Sequence, residues 1–211
     1  MVKQQQQSHT PAAGVATNCG SFTGLGSYHR NLAGQLRDKM ISQGHIEPIW
    51  NQQTLDQLGY QRKDMSDSPS RGEDIYVWSD LKDRERYWDM ISLDVADNVD
   101  TGKFWHQDPW PDLKEKFIVI HHMKPGLIQP LHGDLYRRYS KNHNVEDIET
   151  ITRVLIFLTD WQMGQIFHCD GQCFDDWRAG DWVSWTGTAT HIAGNFGNHS
   201  RYTMQITGLK Q

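Results

Sequence analysis

Thr152-Arg153-Val154-Leu155-Ile156-Phe157-Leu158-Thr159 is the stretch on which the fold turns. Val154 to Leu158 are apolar without a break, rich in β-branched and aromatic side chains, and followed by Asp160. A run this short reads as a β-strand; a membrane span needs about 20 apolar residues. Working outward, 117–120, 164–169, 181–185 and 201–207 are runs of the same kind, separated by Gly, Asp, Asn and Pro. That spacing predicts an antiparallel sandwich or barrel over 116–211.

Upstream the pattern changes. Ser27 as N-cap and Leu32, Leu36 and Met40 at four-residue spacing predict a helix ending before Gly44, and a short helix is expected at 54–58. A polar loop follows at 61–73, then a short strand at 75–78. Ser79 caps a further expected helix, with Leu81, Tyr87, Trp88, Ile91 and Val95 facing inward. The aromatic, proline-punctuated segment 104–111 reads as a packed but irregular connection. Residues 1–20, with a glutamine run at 4–7, are too polar to bury a face and read as a flexible leader. The expected plan is one domain over 21–211, mainly β with α: a helical cap (21–115) on a β core (116–211).

The chain of 211 residues carries a formal charge of -5, which argues against a dedicated non-specific nucleic-acid binder. No signal-peptide pattern is visible at the start of the sequence, so a soluble, cytoplasmic protein is the expectation. Nine tryptophans with a mean hydropathy of -0.70 point to a polar chain built around an aromatic core or cleft. Cys169 and Cys173 flank Asp170-Gly171-Gln172, which reads as a tight hairpin turn rather than half of a zinc site.

The chemistry sits in the C-terminal half. In Pro130-Leu131-His132-Gly133-Asp134 the imidazole and carboxylate are two positions apart, and extended backbone projects both to one face. His191, in Thr190-His191-Ile192, is the candidate third ligand. Two imidazoles and one carboxylate leave open positions on an octahedral ion, which suits Fe(II) and O2 chemistry better than a closed zinc site. Arg201 lies ten positions after His191, beyond the turn-rich 194–198, and opens a β-prone run. Inside a barrel, its planar fork of donors matches a carboxylate.

This combination resembles the Fe(II)/2-oxoglutarate-dependent oxygenase superfamily. Met123-Lys124-Pro125-Gly126 before the first ligand strand, Arg153 to Thr159 followed by Gly164-Gln165, and Ala179-Gly180-Asp181 before the distal ligand are similar to that family's segments. The resemblance covers 117–208 and implies a double-stranded β-helix, the jelly-roll or cupin-like core. It implies iron on His132, Asp134 and His191, with 2-oxoglutarate as co-substrate held at its far carboxylate by Arg201, helped by Thr203. Around His191, Asn195 and Arg201 it also resembles the aspartyl/asparaginyl hydroxylase branch, in which Arg153 would hold the other end of the co-substrate. That branch commonly lacks the carboxylate ligand, whereas Asp134 is present. The tyrosine that prolyl hydroxylases use on the central strand is replaced here, with Ile156 and Phe157 in the comparable stretch. The implied reaction is hydroxylation of an amino-acid, peptide or small-molecule C–H bond, releasing succinate and CO2; Asp134 favours this over halogenation.

Secondary expectations concern the rim. By alternation one of His121 and His122 points inward. Tyr136, Arg137, Arg138 and Tyr139 form either a grip for an acidic or peptide substrate or a solvated loop, and Trp182 and Trp185 are read as core. Two competing functions remain: a cupin-type metalloenzyme without 2-oxoglutarate, which leaves Arg201 without a task, and a non-enzymatic jelly-roll binding module. A nucleic-acid demethylase is disfavoured by the acidic charge.

Overall fold

The computed structural model describes residues 41–63 and 93–210. Eleven strands run through them: β1 (Ser42–His45), β2 (Gln61–Lys63), β3 (Leu93–Ala96), β4 (Leu113–Met123), β5 (Ile128–Gly133), β6 (Ile151–Phe157), β7 (Gln165–Cys169), β8 (Gln172–Phe174), β9 (Asp181–Thr186), β10 (Thr190–Asn195) and β11 (Arg201–Lys210). Two helices, α1 (Gln52–Asp56) and α2 (Arg137–His143), interrupt them. The larger sheet has the order β1-β9-β6-β11-β4-β3-β2 and the smaller β5-β10-β7-β8, with every pairing antiparallel. From β4 to β11 the chain passes back and forth between the sheets, so the core is a jelly roll.

β6 is buried along its whole length because both its faces are covered. Residues opposite one another in an antiparallel pair share a face, so the register sorts the side chains. Val154 and Ile156 of β6, Ile120 of β4 and Tyr202, Met204 and Ile206 of β11 face outward from the barrel. They pack there against Trp50, Leu55, Phe104 and Leu113. Leu155 and Phe157 face the smaller sheet and meet Phe167, Val183 and Trp185. β11 is thus apolar outside, whereas inside it presents Arg201, Thr203, Gln205 and Thr207.

The β runs expected over 116–211 all appear, each shifted by a few residues at its ends. The β7–β8 hairpin turns on Asp170 (φ 44°) and Gly171 (φ 82°), a two-residue loop with both torsions positive. The short helix expected at 54–58 forms earlier, at Gln52–Asp56. Asn51 caps it through its side chain, accepting from the Thr54 amide, and Thr54 returns the bond. Residues 104–111 are irregular, as expected.

Two expectations for the N-terminal half are corrected. Val95, expected on the inner face of a helix, lies in β3, and 61–63, expected in a loop, form β2. β1 was not anticipated, and it extends the larger sheet alongside β9. Where 21–115 is described, it therefore supplies strands and an irregular outer layer more than a helical cap. The leader, the helix from Ser27, the strand at 75–78 and the start of the helix from Ser79 lie outside the described residues.

Candidate metal centre

The smaller sheet brings the two histidines together. His132 on β5 and His191 on β10 are register partners, with their ring centroids 4.2 Å apart. Each ring is pinned from behind: His132 Nδ1 lies 2.7 Å from the carbonyl of Pro130 and His191 Nδ1 3.0 Å from that of Ala189. A carbonyl can only accept, so each Nδ1 carries the proton and each Nε2 keeps its lone pair for a ligand. Burial, and next the neighbouring His132, push His191 down to about 3, so it stays neutral and ligand-competent through the physiological range.

Asp134 follows the end of β5, and its backbone carbonyl accepts from Thr188 Oγ1 at 3.1 Å. Its Oδ2 lies 3.6 Å from His191 Nε2, and the ligand atoms of His132, Asp134 and His191 are all within 4.8 Å of one another. Among the described residues no other set of three His, Cys, Asp or Glu side chains gathers in this way. Two imidazoles and a carboxylate on one side fit a divalent transition ion that keeps open positions for other ligands.

Arg153 adjoins this group. Its Nη1 donates to Asp134 Oδ2 and its Nη2 to Thr207 Oγ1 at 3.3 Å. The guanidinium carbon lies 4.8 Å from the centre of the Tyr136 ring, whose hydroxyl donates to the Gly187 carbonyl at 3.1 Å. Arg153 thus touches a metal-ligand candidate directly, where the resemblance implied a co-substrate contact.

Arg201 lies further along β11 in different surroundings. It is 2 % exposed, and its Nη1 donates to the Ile166 carbonyl at 2.9 Å. Its guanidinium carbon is 5.1 Å from the Trp177 ring centre and 5.7 Å from those of Phe157 and Phe167. Nε has no hydrogen-bond partner, and no carboxylate among the described residues pairs with the side chain. Burial alone works against its charged form. Phe167 neighbours both centres, because the His191 ring lies 6.5 Å from its own. Thr203 is buried on the same face of β11, between Phe157 on β6 and His121 on β4.

The remaining sequence candidates separate by face. His121 shares the face of Thr203, whereas His122 points outward, stacks on Tyr202 at 4.4 Å and bonds Ser200 Oγ at 2.9 Å. Tyr136 and Tyr139 are buried while Arg137 and Arg138 are exposed, so these four form neither a uniform grip nor a solvated loop. Trp182 packs on the outer core; Trp185 faces inward, its ring centre 5.3 Å from that of His191. Asn195, fully buried, donates to the carbonyls of Met123 and His199 and so ties β10 to the end of β4 and the approach to β11 in the larger sheet. Cys173 Sγ lies 3.2 Å from His168 Nε2, and neither cysteine of the hairpin joins the triad.

Sequence reasoning missed the ring-pinning carbonyls, the aromatic box of Phe157, Phe167 and Trp177, and the Arg153–Asp134 pair. The surplus of tryptophan was the available signal for the box.

No protein-family model and no curated protein matches the chain. Solved structures with a similar course of chain include a prolyl-4-hydroxylase of Pseudomonas putida (14% identity, 58% of this chain and 74% of that one, TM-score 0.41). A predicted oxalate decarboxylase of Thermotoga maritima is also similar (15% identity, 56% and 81%, TM-score 0.36). So is the cupin domain of Schizosaccharomyces pombe Cnp3 (13% identity, 56% and 65%, TM-score 0.33). At these values none of them bears on activity.

Proposed function

We propose that this protein is a non-haem Fe(II)- and 2-oxoglutarate-dependent oxygenase that hydroxylates a C–H bond of an amino-acid, peptide or small-molecule substrate. The observation that carries this reading is Arg201, a buried guanidinium in the same barrel as the His132–Asp134–His191 group and with no carboxylate to balance it among the described residues. Burying an unpaired charge costs several kcal/mol, about the scale of a whole domain's stability, so such a group is retained where an anionic ligand completes it.

When bound, Fe(II) with 2-oxoglutarate supplies oxidation of a C–H bond by O2, with release of succinate and CO2. His132, Asp134 and His191 hold the ion, the two imidazoles in the tautomer that Pro130 and Ala189 impose. Arg201 receives the far carboxylate of the co-substrate in a surrounding of aromatic rings, where water is excluded and an ion pair is strong. Thr203 offers a hydroxyl to the same carboxylate. Trp185 and Phe167 wall the space beside His191 and keep bulk water from it.

The test is anaerobic addition of Fe(II) and 2-oxoglutarate, followed by exposure to O2. A weak visible charge-transfer band and substrate-independent succinate formation are expected, both lost in Arg201→Ala and His132→Ala. Iron binding without any effect of 2-oxoglutarate would replace this reading with that of a cupin-type metalloenzyme. Absence of metal binding would leave a binding module.

A further inference from the structure

Arg153 is the buried charged group that the proposed chemistry leaves without a task. It is 8 % exposed, its Nε has no hydrogen-bond partner, and its Nη1 is satisfied by Asp134 Oδ2. That oxygen is also the atom Asp134 turns towards His191 Nε2. Arg153 and the ligand set therefore draw on the same carboxylate. Once Asp134 also serves a divalent ion, its single negative charge is shared between that ion and the guanidinium beside it. Among the described residues the charges inside the barrel are then a divalent ion and two guanidiniums against one carboxylate. A dicarboxylate co-substrate paired with Arg201 removes two of the positive charges and Asp134 a third, leaving one uncompensated at Arg153.

Position supports a separate anion for that charge. Arg153 is the register partner of Thr207, and Arg201 lies at the other end of the same strand face, about 20 Å away along β11 at strand rise. The Arg201 guanidinium sits under Phe157, Phe167 and Trp177, whereas that of Arg153 sits under Tyr136 beside the ligands. The two cations are thus built into different surroundings, carried from opposite ends of one strand face.

We propose that Arg153, while it still steadies Asp134, is the anchor for a carboxylate of the substrate to be oxidised, its charge left unbalanced once metal also draws on Asp134. The substrates of this centre are then molecules bearing a carboxylate close to the oxidised carbon, and free L-amino acids are the probes of that chemistry. This rests on the function proposed above. It also sets an order of binding: metal first, then the acid.

The experiment uses the full chain loaded with Mn(II) and 2-oxoglutarate under anaerobic conditions, where no turnover occurs. Calorimetry measures binding of the twenty free L-amino acids and, for each, its methyl ester. At least one acid is expected to bind ten times or more tighter than its ester, and to lose that binding in metal-free protein. In Arg153→Gln the preference for acid over ester disappears, and in Arg153→Lys part of it returns, while affinity for 2-oxoglutarate changes by less than threefold in both. Equal binding of acid and ester, or no binding of any acid, by the loaded wild-type protein overturns the proposal without need of a variant. Loss of 2-oxoglutarate affinity in Arg153→Gln also overturns it, by assigning Arg153 to the co-substrate. If Mn(II)-loaded wild type fails to bind 2-oxoglutarate at all, it is the underlying function that has failed.

Discussion

β11 has two faces of opposite character. Outward it presents Tyr202, Met204 and Ile206, closely packed against Trp50, Leu55 and Phe104. Inward it presents Arg201, Thr203, Gln205 and Thr207. A sandwich held together by its interior alone would show the reverse. Here a large share of the apolar burial has been moved to the outside of the larger sheet. The space between the sheets, apolar around Leu155, Phe157 and Phe167, thereby has room along β11 for polar groups. On the proposed function, stability and ligand binding are carried by opposite faces of one strand, and substitutions on the two faces should fail in different ways.

The largest expected effect is on the inner side. His191→Ala removes one of the three proposed ligands, and since residues that merely orient a ligand are worth 10–100-fold, more than about 100-fold loss of metal affinity is expected. Titration with Mn(II) measures it; retention of wild-type affinity would remove His191 from the centre. Arg201→Leu comes next. It should cost about 2–5 kcal/mol of 2-oxoglutarate binding, as loss of one partner of a buried ion pair does. In the absence of ligands the same change should raise stability to urea, by about 1 kcal/mol or more, because an uncompensated buried cation is gone. A fall in both quantities would mean that Arg201 belongs to the packing of the fold and not to a ligand.

On the outer face Met204→Ala should show the complementary behaviour. Met204 is fully buried, and truncation there costs about 2–5 kcal/mol of stability, read from urea unfolding. Affinity of the remaining folded protein for Mn(II) and 2-oxoglutarate should stay within about twofold. If binding falls in step with stability, the two faces are not separable.

How much of this was legible follows from which signals are local. His132 and Asp134 could be read because strand alternation is a property of neighbouring residues, and Arg201 because its spacing from His191 spans a single turn. β3 was misread because Val95 follows Ile91 by four, which is helical spacing, although strand pairing with β4 decides the outcome. β1, Ser-Gln-Gly-His, has no apolar alternation at all; its exposed residues are held through backbone pairing with β9. The aromatic box around Arg201 and the contact of Arg153 with Asp134 join residues from separate strands, so no local pattern announces them.

Thr203 offers the smallest and sharpest comparison, since it shares a face with Arg201 at two residues' distance and is itself buried. Thr203→Val keeps the shape and removes a hydroxyl. If that hydroxyl serves the co-substrate, its loss costs about 0.5–1.5 kcal/mol of binding, roughly two- to twelvefold, with little change in the stability of the unliganded protein. The double variant with Arg201→Leu separates the alternatives further. Two groups on one carboxylate form a coupled pair, so Thr203→Val should add almost nothing once Arg201 is gone. Full additivity would place the hydroxyl on some other group. Thr203 would then belong to the barrel wall with its neighbours Phe157 and His121, and the carboxylate pocket would rest on Arg201 alone.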